Sequence, residues 1–313
     1  MFLVEDLAAR HGNKLGLKLL AGKTGLKRRI KVPEAQRPGL SLSGYLKNHA
    51  SKRILIFGRV EIQYLHDLAP EVRLERLKAI ISSEIPAVMI SKGHRASREL
   101  IKVCEEAGVA LFSCSMTTMN LISKLMVILL DAFALSINVH GTLVEVYGVG
   151  VLIQGDSSVG KSEAALGLIE RGHRLVSDDI VVVKRREDDH LEGYQTELTR
   201  HLMEIRGIGI INVADLYGVV CVRDHKSIDL IVQLETWDDT HFYDRVGVDQ
   251  KNIKLLDVDV PCHTLPVKPG RDVVLLLETI ALNHRLKKMG YHPAEEFSTR
   301  LTEAITVKKR RKR

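Results

Sequence analysis

The chain has 313 residues, 45% of them hydrophobic and 27% charged, enough apolar material for one large domain or two ordinary ones. Its formal net charge of +7 is concentrated at the end: the last six residues, Lys308 to Arg313, are all basic, and the remainder holds 40 basic against 39 acidic side chains. A nearly neutral body argues against a nucleic-acid footprint, and the basic tail reads as a solvated end.

The opening "MFLVEDLAAR" places an acidic pair too early for a secretory signal. The run "RILIFGRV" (Arg53 to Val60) is rich in branched residues and reads as a strand. Glu71 to Ile81 carries apolar residues at helical spacing, and Ala87 to Ser91 is a short apolar strand. "SRELIKVCEEAG" reads as a helix closed by Gly108, and "VALFSC" as the next strand. This alternation implies crossover units and a mainly parallel sheet. Thr117 to Leu135 reads as a long, largely buried helix capped by threonine. Its apolar run "LMVILLDAFAL" is interrupted by Asp131 and is too short to span a bilayer. Cys104, Cys114, Cys221 and Cys262 form no C-x-x-C pair, which points to free thiols in a reducing cytoplasm.

The second half changes character. "HGTLVEVYGVGVLIQGD" alternates around Gly141, Gly148 and Gly150 and reads as hairpin-linked strands. "KSEAALGLIERG" reads as a helix ending at Gly172, and "HRLVSDDIVVVKRRED" as a returning strand. Further strands are expected at "GIGIINV" and "SIDLIVQLE", and a long helix with a basic last turn over Gly270 to Gly290. The fold class is α/β, with an N-terminal domain over 1–130 and a C-terminal domain over 131–313.

At the centre lies G-x-x-x-x-G-K-[ST], met by Gly155, Gly160, Lys161 and Ser162, with a strand before it and a helix after. Gly155, Asp156, Ser157, Ser158, Val159, Gly160, Lys161 and Ser162 would wrap phosphate oxygens with backbone N–H groups at a helix start. Lys161 suits the outer phosphates, and the Ser162 hydroxyl suits magnesium. Asp178 and Asp179 follow within one helix and a strand. Neighbours on a strand face opposite sides, so one carboxylate is expected at the phosphates and the other elsewhere. No N-K-x-D guanine motif is present. His140, Glu204, Arg206, Arg245 and "PVKPGR" (Pro266 to Arg271) are further groups for the site, each with an ordinary structural alternative.

Taken together and in order, "HGTLVEVYG", the P-loop segment through Asp179, "MEIRGIGIINV", "FYDRVG" and "PVKPGRDVVLLLETIALNHRLKKMGY" resemble bacterial HPr kinase/phosphorylase. "RPGLSLSGYL" and "RILIFGRVE" extend the resemblance into the first half. It implies a bifunctional enzyme, a homohexamer acting in carbon catabolite repression. One direction is ATP- and Mg2+-dependent phosphorylation of a serine of the phosphocarrier HPr. The other is phosphorolysis of that phosphoserine by inorganic phosphate to give pyrophosphate. It also implies a catalytic domain like the nucleotide core of phosphoenolpyruvate carboxykinase.

By the same resemblance, Gly155 to Ser162 bind nucleotide phosphates, Ser162 and Glu204 bind magnesium, and Asp179 takes the serine proton. His140, Lys161 and Arg245 complete the site. Met203 to Asn212 belong to both reactions and Pro266 to Arg271 to dephosphorylation. Ser158 stands where many members have glycine, and Asn212 where aspartate is common. On the residues alone, a small-molecule kinase, a carboxykinase-like enzyme and a nucleotide-sensing regulator use the same phosphate grip.

Overall fold

The computed structural model describes residues 2–47, 51–82, 84–186, 189–240, 251–294 and 296–302. The chain divides into two compact units, Met1–Ala134 and Leu135–Arg313.

The first unit runs α1 (Val4–Leu15), β1 (Leu17–Ala21), β2 (Ala35–Gln36), β3 (Ile54–Phe57), α2 (Arg59–Asp67), α3 (Pro70–Ile80), β4 (Ala87–Ile90), α4 (Arg98–Ala107), β5 (Ala110–Cys114) and α5 (Thr118–Phe133). Its sheet has the order β1-β5-β4-β3-β2. All neighbours are parallel except the antiparallel β1–β5 pair at the edge. The strands are apolar on both faces. Leu55, Phe57, Val88, Ile90 and Leu111 pack with residues of α2, α3 and α4, while Ile54, Ile56, Ala87, Met89 and Phe112 pack with residues of α1 and α5. Helices therefore cover both sides of a central sheet, as a parallel sheet requires.

The ends of these helices follow their sequences. The Ser97 hydroxyl accepts from the Leu100 amide and Gly108 closes α4 in the left-handed conformation; the Thr117 hydroxyl accepts from the Asn120 amide to start α5. Two expectations need correction. The strand expected over Arg53 to Val60 stops at Phe57, because Gly58 is the N-cap of α2, where the Glu61 carboxylate accepts from the Gly58 amide. α5 is one-sided rather than largely buried: Leu121, Leu125, Ile128 and Leu129 are buried, whereas Met119 and Val127 are about 70% exposed.

The second unit runs β6 (Ser136–His140), β7 (Thr142–Val146), β8 (Val149–Gly155), α6 (Lys161–Glu170), β9 (Arg174–Ser177), β10 (Ile180–Arg185), β11 (Leu191–Tyr194), β12 (Leu202–Ile205), β13 (Gly209–Asn212), α7 (Val213–Tyr217), β14 (His225–Ser227), β15 (Leu230–Thr236), β16 (Lys251–Leu255), β17 (Val258–Val267) and α8 (Val273–Lys288). A six-stranded sheet, β16-β17-β15-β8-β7-β9, has a parallel centre of β17, β15 and β8. One face carries the core shared with α6 and α8. The other packs Leu143, Leu152 and Ile231 against Val181, Val183 and Leu191 of a second sheet, β14-β11-β10-β6. The stretch His173 to Asp188, read as one returning strand, holds two strands, β9 and β10, in two sheets, and the chain crosses between them at Asp178–Asp179. It crosses a second time at Gly141, between β6 and β7. His140 and Ile180 are register partners, so the two crossings lie side by side.

α8 is fastened to the end of α6 by Glu278. Its carboxylate accepts from Arg171 at 2.8 Å and Tyr147 at 3.2 Å, and bonds the buried His173 ring at 2.9 Å. Burial pushes this carboxyl up, but the hydrogen bonds from His173, Arg171 and Tyr147 outweigh it and hold it below the ordinary glutamate value. A depressed carboxylate adds stability above its unfolded-state pKa and loses it as the pH falls through the folded value. Glu278→Gln is expected to cost about 2 kcal/mol at neutral pH. The loss should shrink on acidification into the range below the ordinary glutamate pKa, as read by urea unfolding at a series of pH values.

Candidate active site

β8 delivers the chain to the cleft. Its register puts Gly155 beside Leu234 of β15. At Gly155 φ is +142°, and an added Cβ would stand 2.3 Å from the Leu234 carbonyl oxygen, so only glycine leaves the strand here without displacing its neighbour. Ser158 (φ +77°) and Gly160 (φ +95°) take left-handed conformations, the kind of turn in which successive amides converge on an anion. Gly160 hands directly to α6, whose N-terminal positive potential faces the loop. Lys161 is largely buried, and its ammonium lies back over the loop, donating to the Gly155 and Asp156 carbonyls at 2.9 Å each.

An open cleft of about 150 Å3 lies over this turn, lined by His140, Thr142, Ser157, Ser158, Gly160, Lys161, Ser162, Glu163, Asp178, Asp179, Glu204 and Arg206. Asp178 forms its floor at 4% exposure. Its carboxylate accepts from the Thr142 hydroxyl at 2.6 Å and from Ser162 at 3.1–3.2 Å. Burial pushes the Asp178 carboxyl up; the Thr142 and Ser162 hydroxyls and the Asp179 and Glu204 amides pull the other way without cancelling it. Asp179 stands at the mouth. It is about two-thirds exposed, with φ +64°, and its carboxylate lies 3.1 Å from Nδ1 of His140. The Asp179 carbonyl also accepts from the Gly141 amide at 3.0 Å.

The expectation that one of the two aspartates faces away is therefore corrected. The pair sits at a crossing between sheets rather than inside a strand, so strand alternation does not apply, and both carboxylates line the cleft. Their division is one of depth: Asp178 is locked and dry, Asp179 open and wet.

The hairpin β12–β13 supplies Glu204 and Arg206. Neighbouring residues of this hairpin anchor it, since Met203 and Ile205 are buried in the core below α6. Arg206 turns toward the Ser157 hydroxyl at 3.4 Å. Gly155, Asp156 and Val159 shape the loop without lining the cleft. Pro266 to Arg271 do not line it either: Arg271 donates to the Pro266 carbonyl at 2.8 Å, and Lys268 lies 4.5 Å from the Trp237 ring centre. Arg245 and Lys308 to Arg313 lie outside the described residues. Thr142 and Glu163 are the lining residues that sequence reading passed over. A threonine in an alternating strand and a glutamate in a first helical turn carry no local signal.

The lining holds four carboxylates (Glu163, Asp178, Asp179, Glu204) against two permanent cations (Lys161, Arg206). Among the described residues, no cluster of three or more histidine, cysteine or acidic side chains stands ready to hold a metal alone. Magnesium needs no such cage. It keeps most of its waters and shares phosphate oxygens with one or two protein oxygens. The hard oxygen donors of Ser162 and Glu204, in a cleft with an excess of acids, fit that ion.

Residues 131–301 match the family model described as HPr Serine kinase C-terminal domain, and residues 2–129 match HPr Serine kinase N terminus. With the mixed parallel and antiparallel sheets, these matches define an α/β enzyme of the kinase class. A relative from Brevibacillus brevis, named HPr kinase/phosphorylase, is 42% identical over 287 residues, 92% of each chain. One of the same name from Exiguobacterium sp. is 44% identical over 289 residues, 92% of this chain and 93% of its own. A solved structure, the Hpr(Ser) kinase/phosphatase from Coxiella burnetii, covers 51% of this chain and 98% of its own at 34% identity, with a TM-score of 0.47. The chain belongs to the HPr kinase/phosphorylase family and is an enzyme with kinase and phosphorylase activity. Among the described residues, no helix is long and apolar enough to cross a membrane.

Gly155→Ala is expected to destabilise the protein by roughly 1–3 kcal/mol, through the blocked approach to Leu234 and the strained φ. Equilibrium unfolding in urea reads this directly, with Gly172→Ala as a control. Gly172 also has positive φ, but its added Cβ meets nothing within 4 Å.

Proposed function

We propose that this enzyme uses ATP and Mg2+ to phosphorylate a serine of HPr, and returns the phosphoryl group to inorganic phosphate as pyrophosphate. The observation that carries the reading is one juxtaposition. An exposed carboxylate, Asp179, held against His140, shares a 150 Å3 cleft with the glycine turn, Lys161 and Ser162. The relatives' name directs the choice of acceptor to HPr.

In this reading the chain from Gly155 to Ser162 is a P-loop within a nucleotide core like that of phosphoenolpyruvate carboxykinase. Its amides and the start of α6 hold the β- and γ-phosphates. Lys161 leaves the Gly155 and Asp156 carbonyls for phosphate oxygens. Ser162 and Glu204 would hold the magnesium, which, when bound, offsets the charge that develops on the phosphates.

The serine Oγ attacks the γ-phosphorus. The Oγ–P bond forms, the bond to the bridging oxygen breaks, and ADP departs with that electron pair. The serine proton passes to Asp179, whose position at the wet mouth suits a base that meets a side chain of another protein. His140 orients that carboxylate. In the return direction an oxygen of inorganic phosphate attacks the phosphoserine phosphorus, the P–Oγ bond breaks as pyrophosphate forms, and Asp179 gives its proton to the departing Oγ. Arg206, and Arg245 from outside the described residues, add positive charge at the transferring group. A homohexamer, a cytoplasmic setting and a part in carbon catabolite repression come with the family rather than from this fold.

The test is transfer itself. HPr incubated with the enzyme, ATP and Mg2+ should gain the mass of one phosphoryl group. Excess inorganic phosphate without ATP should remove it and release pyrophosphate. Asp179→Asn should lower the kinase kcat by about 100-fold or more while ATP binding changes by less than about threefold. Lys161→Ala should lose both directions. An Asp179→Asn enzyme of normal kcat removes Asp179 as the base.

A further inference from the structure

Thr142 carries a hydroxyl at complete burial, 0% exposed, and spends it on one acceptor, Asp178 Oδ1 at 2.6 Å. The contact is built by an irregularity in the sheet. β7 and β9 pair Val144 with Leu175 but Leu143 with Ser177, so Val176 is skipped. That slip of one residue brings the chain after Ser177 level with Thr142; in an unbroken ladder Thr142 would have faced Ser177 instead. The inserted residue therefore aims Asp178 at the threonine hydroxyl. On the other side, Thr142 is fixed by its register with Ile153 of β8, two residues before Gly155.

The Asp178 carboxylate also accepts from Ser162, the residue that would hold magnesium. Whether Ser162 can offer its oxygen to a metal depends on where the Asp178 oxygens are held. We infer that Thr142 is a positioning residue: its hydroxyl fixes the orientation of Asp178, and through Asp178 it presets Ser162 for the magnesium that accompanies the nucleotide. The inference rests on the proposed use of the cleft for Mg2+ and ATP. With the hydroxyl gone, one Asp178 oxygen loses its shortest partner. The carboxylate is then free to turn onto Ser162 or Lys161, and Ser162 is held back from the metal.

The experiment needs no catalysis. Magnesium is titrated into full-length enzyme holding a non-hydrolysable ATP analogue, and the half-saturating concentration is read by calorimetry. Thr142→Val keeps the shape and removes the hydroxyl; Thr142→Ser keeps the hydroxyl and removes the methyl. Loss of a direct partner of a metal ligand weakens metal binding by about 10- to 100-fold; Thr142 acts one contact further out, through Asp178, so Thr142→Val should raise the half-saturating concentration by the low end of that range, about tenfold. Thr142→Ser should stay within about threefold of wild type. If the valine variant does not fold, Thr142→Ala takes its place with the same expected loss. A hydroxyl-free variant that matches wild type overturns the inference. So does a serine variant as impaired as valine, since packing and not the hydroxyl would then be at work. Wild-type enzyme that binds no analogue at all removes the reading of the cleft, and this inference with it.

Discussion

The burial of the Asp178 carboxylate is the constraint from which the cleft follows. Taking a carboxylate out of water costs several kcal/mol unless donors surround it. Here the donors come from four parts of the chain: Thr142 at the start of β7, Ser162 at the start of α6, the Asp179 amide at the crossing to β10, and the Glu204 amide of β12. Each donor fixes the end of an element, and each of those ends contributes a neighbouring group to the cleft. His140 precedes Thr142 by two positions, Lys161 precedes Ser162, Asp179 follows Asp178, and Glu204 brings its own side chain. One buried carboxyl group thus sets the relative positions of the glycine turn, the exposed aspartate and the acidic hairpin.

The two-sheet architecture makes that gathering possible. A single sheet would carry β9 and β10 onward as one strand and point its two aspartates to opposite faces. Crossing from one sheet to the other turns the chain between Ser177 and Ile180, with Asp179 in the left-handed region. The second crossing, at Gly141, brings His140 alongside, since β6 and β10 pair antiparallel with His140 opposite Ile180. The result is a graded site, dry at Asp178 and open to solvent at Asp179. Such a gradient suits a reaction in which phosphates are held at depth and the acceptor arrives on another macromolecule.

What the sequence made legible was local. The alternation of apolar strands and amphipathic helices up to Phe133 is a matter of neighbouring residues, and so are the Ser97 and Thr117 caps and the glycine spacing from Gly155 to Ser162. The reading went astray where distant contacts decide. Asp178 and Asp179 looked like strand residues because valine and isoleucine flank them; only the second sheet, assembled from β6, β10, β11 and β14, turns the chain there. The apolar character of α5 suggested burial all round, whereas its packing uses one face. Thr142 was invisible because its partner lies 36 residues away and meets it through a slip in the ladder. Glu204 and Arg206 read equally well as a surface ion pair. Their place in the cleft comes from Met203 and Ile205 being buried in the core.

The central claim is that Asp179, and not Asp178, meets the hydroxyl of the acceptor. A crystal structure of the enzyme with HPr, Mg2+ and a non-hydrolysable ATP analogue measures it most directly. The account predicts an Asp179 carboxylate oxygen within about 3.2 Å of the acceptor serine Oγ, with Asp178 still joined to Thr142. An acceptor oxygen resting on Asp178, or an Asp179 turned to solvent on the side away from the γ-phosphate, would contradict it.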